Sequence, residues 1–200
     1  VLALFIEVDG RPYSLELVKR IKSDDMFERE NVLNQLPVRN RQVYTDSLTK
    51  VFNRRYCDDR LRRLSGEYAL AMIDIDNLKQ INDCLGHPAG DTAIYHTAQA
   101  IRAILRSQDE LVRYGGDEFL LLFHSLPQNI LRRKLEDICR AVRALRVADL
   151  PELRITVSIG GVYAAGQISE LVEKADLALY RAKAQKDSAV LYEEDFHDSE

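Results

Sequence analysis

Two acidic segments are the parts of this sequence whose residue types could perform chemistry. Asp117 and Glu118 directly follow the pair Gly115-Gly116, and Asp74 stands near the end of an apolar run. Glycines allow a ligand to approach the main chain closely. Carboxylates beside such a gap would repel a phosphate group unless a hard divalent cation lay between them. The pattern predicts a phosphate site bridged by a metal ion, and the alternative is an ordinary hairpin with a solvated acidic tip.

The elements around these residues must bring them together. The glycine pair separates Leu111-Val112 from the apolar segment 119–123, which predicts a β-hairpin whose turn uses the positive φ values that Gly-Gly supplies. The apolar run 68–75 has the length of a strand and predicts a buried central strand. If this strand is a neighbour of the hairpin, Asp74 and Asp117 can hold a common cation.

Two longer motifs carry a resemblance to a known family. Residues 72–91 and the segment Arg-Tyr-Gly-Gly-Asp-Glu-Phe at 113–119 together resemble the GGDEF family, the diguanylate cyclases that make cyclic di-GMP from two GTP molecules. Asp46-Ser47-Leu48-Thr49, followed by Asn53-Arg54-Arg55, is similar to the motif with which that domain opens, although Lys50 stands where the family has glycine. The resemblance covers the chain from about residue 46 to the C terminus.

The resemblance implies a set of metal ligands and catalytic residues. Asp74, the main-chain carbonyl of Ile75 and Asp117 would hold the cation, and Glu118 would add a further contact. Oxygen ligands and a phosphate substrate favour Mg²⁺, with Mn²⁺ as the alternative. Asp117 and Glu118 are also catalytic candidates, Asp117 for activating the 3′-hydroxyl. Lys79 would stabilise charge on the triphosphate.

The resemblance also implies residues that bind the nucleotide. Asn82 and Asp91 match the positions that recognise guanine, and an amide with a carboxylate suits the hydrogen-bonding edge of that base. His87 would line the nucleotide, the alternative being a simple loop histidine. Gly115 and Gly116 would let the main chain approach the phosphates, and Lys183 would bind them.

A regulatory site is predicted beside the hairpin. The pattern Arg106-x-x-Asp109 is followed by five residues, Glu110 to Tyr114, and then by Gly115. By resemblance this spacing matches the family's product-inhibition site, where the arginine and the carboxylate bind cyclic di-GMP. The alternative is an arginine at a helix C terminus that interacts with the helix dipole.

One departure from the family weakens the predicted phosphate site. Asp187 stands where an arginine normally assists the phosphates, and a carboxylate there would repel GTP unless the adjacent Lys186 compensates. The leading prediction is nevertheless a diguanylate cyclase that acts as a homodimer, because its two active sites must face each other. The competing hypothesis is a non-catalytic domain that binds GTP or cyclic di-GMP as a receptor.

The pattern along the chain predicts an α/β (α+β) fold with a mixed, mainly antiparallel sheet flanked by helices, of the ferredoxin-like palm type found in nucleotidyl cyclases. Residues 1–22 form a predicted hairpin, interpreted as a remnant of an upstream PAS-like sensor domain. Residues 23–45 are a predicted coupling helix, and 46–200 the GGDEF domain. Further elements are predicted as a helix from Asn53 to near Gly66, helices at 77–85, 89–106, 131–145 and 171–182, a half-buried strand at 154–159 and a last strand at 189–192.

Composition limits the class of protein. The 200 residues are 46% hydrophobic and 30% charged, with a net charge of −4, which argues against a general nucleic-acid binder. Cys57, Cys84 and Cys139 show no metal-ligand spacing, so a reducing, cytoplasmic compartment is predicted. No apolar run reaches the length needed to span a membrane, which leaves open an anchor elsewhere in the parent protein.

Overall fold

The computed structural model describes residues 2–8, 11–17 and 43–193, and for the first two segments it describes the backbone alone. Two compact units are present, Val1–Glu30 and Asn31–Glu200. The predicted coupling helix lies outside the described residues except for its last three positions, so it stays a prediction.

The first unit contains a two-stranded antiparallel sheet. Strand β1 (Leu2–Val8) pairs with β2 (Arg11–Leu17), in a register that runs from Leu2 opposite Leu17 to Val8 opposite Arg11. The predicted hairpin is therefore confirmed. Its assignment to an upstream sensor domain remains a prediction, since two strands are too few to define a domain.

The second unit has a six-stranded sheet with helices on both faces. Its strands lie in the order β3-β5-β6-β4-β7-β8, with the central pairs antiparallel and the pairs β3–β5 and β7–β8 parallel. This confirms the predicted mixed, mainly antiparallel sheet. In chain order the elements are β3 (Phe52–Asn53), α1 (Arg54–Tyr56), β4 (Ser65–Ile75), α2 (Leu78–Leu85), α3 (His87–Ile104), β5 (Glu110–Arg113), β6 (Glu118–Phe123), α4 (Gln128–Arg143), β7 (Val157–Gln167), α5 (Ile168–Gln185) and β8 (Ala189–Leu191).

Strand β4 has a separate hydrophobic cluster on each face. Ala71 and Ile73 point to the cluster formed with α2, α3 and α4, whereas Leu70 and Met72 point to the cluster formed with α5 and the segment around Tyr56. These β4 side chains are at most 1% exposed. Burying a leucine- or methionine-sized side chain contributes roughly 1.5–3 kcal/mol, so the strand that ends at the predicted site is held firmly from both sides.

The helix after Asn53 is shorter than the sequence predicts. Asn53 caps it as expected, since its side-chain oxygen accepts a hydrogen bond from the Tyr56 N–H at 3.1 Å. The helix then continues as one π-helical turn, Cys57–Leu61, and ends there. Gly66 does not terminate it but lies in β4 opposite Gly166, because the long strand β7 offers pairing partners as far back as Ser65.

Strand β7 differs from the half-buried strand predicted at 154–159. It begins at Val157, continues to Gln167 and is buried on both faces through Val162, because it lies between two strands with helices above and below. At Gly160 a Cβ atom would overlap the main chain of α5 at Ala175 and Leu179. Gly160 therefore allows α5 to pack closely against the sheet.

None of the helices in the described part of the chain combines the length and the apolar composition needed to cross a lipid bilayer.

Candidate functional site

The predicted hairpin is present, but its glycines serve a different purpose from the one expected. Strands β5 and β6 are joined by the four residues Tyr114–Asp117, called here the glycine turn, and the N–H groups of Tyr114 and Gly115 both donate to the Glu118 carbonyl, at 2.8 and 3.2 Å. Among the described glycines only Gly86 and Gly166 have a positive φ, so the predicted backbone conformation is wrong.

A longer loop explains that correction, because four residues close a hairpin without the left-handed geometry of a two-residue turn. The glycines supply space instead. A Cβ atom on Gly115 would collide with the Glu118 carboxylate, whereas one on Gly116 would meet nothing within 4 Å. Gly115 thus makes room for an acidic side chain, and Gly116 leaves the outer surface of the turn open to a ligand.

The strand carrying Asp74 is a direct neighbour of the hairpin. Asp74 lies opposite Glu118 across the β4–β6 pair, and the Ile75 N–H donates to the Asp117 carbonyl at 3.2 Å. Asp74, Asp117 and Glu118 therefore stand at the same end of the sheet, called here the acidic end. This is the adjacency that a shared cation site requires.

Lys183 of α5 partly balances the charge of the acidic end. Its Nζ lies 2.8 Å from Asp74 Oδ2, and its side chain stays 44% exposed while that of Asp74 is 12% exposed. Burial raises the pKa of Asp74, Lys183 opposes that rise, and the charges of Asp117 and Glu118 add to it. Although burial works against it, the bond to Asp74 raises the pKa of Lys183. One ammonium group does not satisfy three carboxylates.

The acidic end matches a hard divalent cation in its chemistry. Within the described residues, no three or more His, Cys, Asp or Glu side chains are arranged as a metal site as they stand. The predicted set includes three carboxylates, those of Asp74, Asp117 and Glu118, with the main-chain carbonyl of Ile75, and these side chains as they stand are not gathered around a common ion position. All are oxygen donors, and burial raises the pKa of Asp74, with the charges of Asp117 and Glu118 adding to the rise. Such a site favours Mg²⁺ or Mn²⁺ over softer metals.

The predicted nucleotide residues lie on α2 and α3, around the junction at Gly86. Lys79 and Asn82 are on α2, and His87 and Asp91 are in the first turns of α3. Lys79, His87 and Asp91 are exposed, so their polar groups are open to a ligand, and Asn82 is half-buried.

Gly90 is a residue that the sequence reasoning missed. A Cβ atom there would overlap the Asn82 side-chain amide, so the amide lies against the main chain of α3, next to Asp91. A glycine inside the first turns of a helix was the available signal, since it has a cost in helix stability that close packing can explain.

Arg106 and Asp109 occupy a tight turn after α3. Asp109 accepts hydrogen bonds from the Arg106 N–H at 3.0 Å and from the His124 N–H at 3.3 Å. A cavity of about 130 Å³ adjoins them and is also lined by Arg102. Helix α3 ends at Ile104, so Arg106 lies outside its last turn. The alternative role, in which this arginine interacts with the dipole of the helix, is therefore less well supported. The inhibitory role remains a proposal.

Arg113, the last residue of β5 and the one directly before the glycine turn, is a second residue whose role the sequence did not suggest. Its Nη1 donates to both oxygens of Asp46, at 3.2 and 3.3 Å, and its Nε and Nη2 donate to the Gly116 carbonyl at 3.2 and 2.8 Å. It therefore ties the opening segment of the domain to the glycine turn. The partners are 67 positions apart, so no local pattern could reveal the pair.

Asp187, the departure noted in the sequence, does not stand as an unpaired charge. Its carboxylate pairs with Arg143 of α4 at 2.5 Å, and Lys186 donates to the Asn77 side chain at 2.7 Å. Asp76 is also fully engaged, since it accepts hydrogen bonds from the Thr156 and Ser158 hydroxyls at 2.7 Å each. Asp76 therefore supports the fold beside the acidic end.

Comparison with known proteins gives a consistent result. The model of the family "Diguanylate cyclase, GGDEF domain" matches residues 43–189. The chain is 34% identical over 148 residues to the probable diguanylate cyclase DgcC of Escherichia coli, which covers 69% of this chain and 40% of that protein. It is 35% identical over 188 residues to the diguanylate cyclase DgcP of Pseudomonas aeruginosa, covering 88% of this chain and 27% of DgcP.

A solved structure agrees with the sequence relatives. The GGDEF domain of DgcB from Caulobacter crescentus, crystallised in complex with c-di-GMP, superposes with a TM-score of 0.69 at 31% identity and covers 74% of this chain and 95% of that one. The chain spans less than half the length of DgcC and DgcP, so the comparison concerns one domain of those proteins. With the family model matching most of its length, this chain belongs to the GGDEF family.

Proposed function

We propose that this domain condenses two GTP molecules into cyclic di-GMP and releases two pyrophosphates. The observation that carries the proposal is the acidic end, where Asp74 of β4 is buried beside Asp117 of the glycine turn and Glu118 of β6, and where Lys183 is the one cation paired with Asp74 among the described residues. The membership in the GGDEF family and the names of relatives such as DgcP support the same reaction.

In this reaction the 3′-oxygen of one GTP attacks the α-phosphorus of the other in line with the departing pyrophosphate. A divalent cation, when bound, would supply the charge that neutralises the developing negative charge and would lower the pKa of the attacking hydroxyl. Asp74, the carbonyl of Ile75 and Asp117 would hold it, with Glu118 as a further contact. Mg²⁺ is the proposed ion and Mn²⁺ its alternative. Asp117 would also orient the hydroxyl for attack.

The remaining site residues would bind and orient the nucleotide. Lys183 lies 2.8 Å from Asp74, and Lys79 is exposed in the first turn of α2, the helix that follows β4, and both would neutralise the triphosphate. The open surface at Gly116 would allow the phosphates close to the main chain. Asn82 and Asp91 would recognise guanine, and His87 would line the base or sugar.

The reaction requires two copies of the domain. Each copy would hold one GTP, because the described part of the chain has one acidic end. The two 3′-hydroxyls can reach the opposite α-phosphates only if the sites face each other, so we propose a homodimer, at least a transient one. The signal that controls it would come from the upstream residues, for which a sensor domain and a coupling helix remain predictions.

Product inhibition is proposed at Arg106 and Asp109. The exposed guanidinium of Arg106 would stack on or hydrogen-bond to cyclic di-GMP, and Asp109 would accept from its guanine. The binding of c-di-GMP by the DgcB domain supports a product site in this family. The test is the inhibition curve for added cyclic di-GMP, which should shift to higher concentration in Arg106→Ala without a change in the initial rate.

The reaction itself is tested by incubating the wild type and Asp117→Ala with GTP or ATP and Mg²⁺ over a series of protein concentrations. The wild type should form cyclic di-GMP from GTP and no cyclic dinucleotide from ATP, and its rate per molecule of protein should rise with protein concentration. Asp117→Ala should be inactive. Absence of any cyclic dinucleotide from the wild type at every concentration would contradict the proposal.

The receptor hypothesis loses one of its two grounds. It depended on the repulsion expected from Asp187, and that carboxylate is paired with Arg143. Its other ground, the presence of Arg106 and Asp109, is equally expected of a product-inhibited enzyme. Calorimetry that found tight binding of cyclic di-GMP in a protein without turnover would restore it.

A further inference from the structure

The turn that joins α5 to β8, residues Lys186–Ser188, is unusually constrained. Lys186 and Asp187 have φ values of 54° and 45°, a left-handed conformation that side chains with a Cβ atom avoid. Two such residues in succession persist only where surrounding contacts hold them in place. Asn77, which lies against this turn, is also left-handed, with a φ of 57°.

Contacts from three different elements hold the turn. Lys186 Nζ donates to Asn77 Oδ1 at 2.7 Å, directly before α2. The Asp187 N–H donates to Asp76 Oδ2 at 2.9 Å, directly after β4. The Asp187 carboxylate pairs with Arg143 Nε at 2.5 Å at the end of α4, and Arg143 Nη2 also donates to the Asp187 carbonyl at 3.4 Å.

The Asp187 carboxylate depends on this arginine. Its Oδ2 is the atom that meets Arg143, and its Oδ1 is buried with no hydrogen-bond partner. The Asp187 side chain is 29% exposed, so a carboxylate that loses its cation here becomes a partly buried, uncompensated charge that favours another conformation. The conformation of the turn should therefore be sensitive to Arg143, although half of that arginine's side chain faces solvent.

The turn also connects two helices that the sheet separates. Helix α5 packs on one face of the sheet and carries Lys183, whereas α2 packs on the other face and carries Lys79. The bond between Lys186 and Asn77 joins the end of α5 to the beginning of α2, next to the acidic end. The position of α2 relative to α5, and with it that of Lys79 relative to Lys183, thus depends on this turn.

We propose that Arg143 is a positioning residue for nucleotide binding, because its pairing with Asp187 fixes the α5–β8 turn and the turn fixes α2 relative to α5. In this chain position 187 then contributes by holding Lys186 against Asn77 and not by touching phosphate. The identity of the ligand as GTP rests on the proposed function. The structural link from α4 to α2 is independent of that function.

The test compares Arg143→Met, which removes the charge and keeps most of the side chain, with Arg140→Met as a matched control. Arg140 lies one turn earlier on α4 and pairs with Asp137 of the same helix. Hydrogen–deuterium exchange should become faster in residues 77–85 of Arg143→Met and stay unchanged in Arg140→Met. The KM for GTP should rise about fivefold in Arg143→Met with kcat within about twofold, a size typical of coupling between contacting groups.

Two further variants separate positioning from general loss of structure. Arg143→Lys keeps a cation and should return exchange and KM towards wild type. Asp187→Asn added to Arg143→Met removes the unpaired charge and should do the same. A uniform increase in exchange across the whole domain, or equal KM values for Arg143→Met and Arg140→Met, would overturn the inference.

The two proposals fail in different ways. A wild type without cyclase activity whose residues 77–85 still exchange faster in Arg143→Met would remove the proposed function and keep the link from α4 to α2. An active wild type whose exchange and KM are insensitive to Arg143 would keep the cyclase and remove the link.

Discussion

The segment Asp46–Thr49 and the acidic end contact opposite sides of the same hairpin, and their carboxylates are treated in opposite ways. Asp46 accepts from the Thr49 N–H and hydroxyl at 2.8 and 2.7 Å and from Arg113. Among the residues that the structure describes, Asp74 forms an ion pair with Lys183 and has two acidic neighbours, Asp117 and Glu118. One carboxylate has its partners within the fold, and the other has negative charge in excess.

The pKa shifts express the same contrast. Burial alone would raise the pKa of Asp46, but its hydrogen bonds from Thr49 and the charge of Arg113 lower it below the usual 3.8. Burial raises the pKa of Asp74, and the opposing effect of Lys183 does not restore it. A group satisfied by the fold indicates a structural role, whereas a buried group left with excess charge indicates a place for a ligand.

The largest expected effect separates the two regions by activity. Asp74→Asn should reduce cyclic di-GMP formation by at least about 10³-fold, because it removes a carboxylate that would hold the proposed cation against the transferring phosphoryl group. Asp46→Asn should lower activity far less at a temperature where it remains folded. The measurement is the initial rate with saturating GTP and Mg²⁺, with the exposed Asp149→Asn as control. Equal losses in the two variants would abolish the distinction.

Substitutions around Asp46 should lower the stability of the fold more than the substitution of Asp74 does, which is the reverse of their order in activity. Asp46→Asn and Arg113→Met should each lower the free energy of unfolding by about 2 kcal/mol, since each leaves a partly buried charge or donor without its partner. Urea unfolding measures this at neutral pH. A double variant that loses no more than either single one would show that the two residues act as a pair, whereas fully additive losses would contradict the coupling.

The pH dependence of stability should have opposite signs for the two carboxylates. Because the pKa of Asp46 is lowered on folding, its contribution is present above pH 3.8 and is lost as the pH falls towards its folded pKa. Because the pKa of Asp74 is raised, its charge destabilises the fold as the pH rises above 3.8.

Asp74→Asn should therefore be more stable than wild type at pH 7 without metal, because the variant does not bury a charge at this position. That advantage should vanish as the pH falls to 3.8, whereas the deficit of Asp46→Asn should persist at pH 3.8 and shrink only below it. Urea midpoints measured from pH 2.5 to 7 test both signs. An Asp74→Asn variant that is less stable than wild type at pH 7 would contradict the assignment of excess charge.

The smallest effect concerns local opening beside Asp46. Cys57 is fully buried, and burial raises the pKa of its thiol to about 11, so its thiolate is scarce at neutral pH. Cys84 is exposed. Cys84 should react rapidly with a maleimide in every variant, whereas Cys57 should react slowly in wild type and severalfold faster in Asp46→Asn than in Asp74→Asn. Equal Cys57 rates would show that Asp46 does not hold this region closed.

The helices and strands that the sequence predicts best are those whose apolar residues repeat at a regular spacing within a few positions. The apolar run before Asp74, the segments flanking Gly115-Gly116 and the amphipathic helices were all predicted at nearly their observed positions. Their residues carry the information within a few positions of one another. Errors arose where the partner was distant: Gly66 joined a strand because β7 extends to pair with it, and the glycine turn used four residues because of the hairpin register.

For the candidate site, the sequence determined the residue types, their order and their family resemblance, and thus the acidic pair, the glycines and the lysines. Tertiary structure alone decided which charges meet. Arg113 reaches Asp46 across 67 positions and Arg143 reaches Asp187 across 44, and neither pairing follows a helix or strand period. Side-chain ion pairs form wherever folding brings opposite charges into contact, so the chain encodes them only through the packing of the whole sheet.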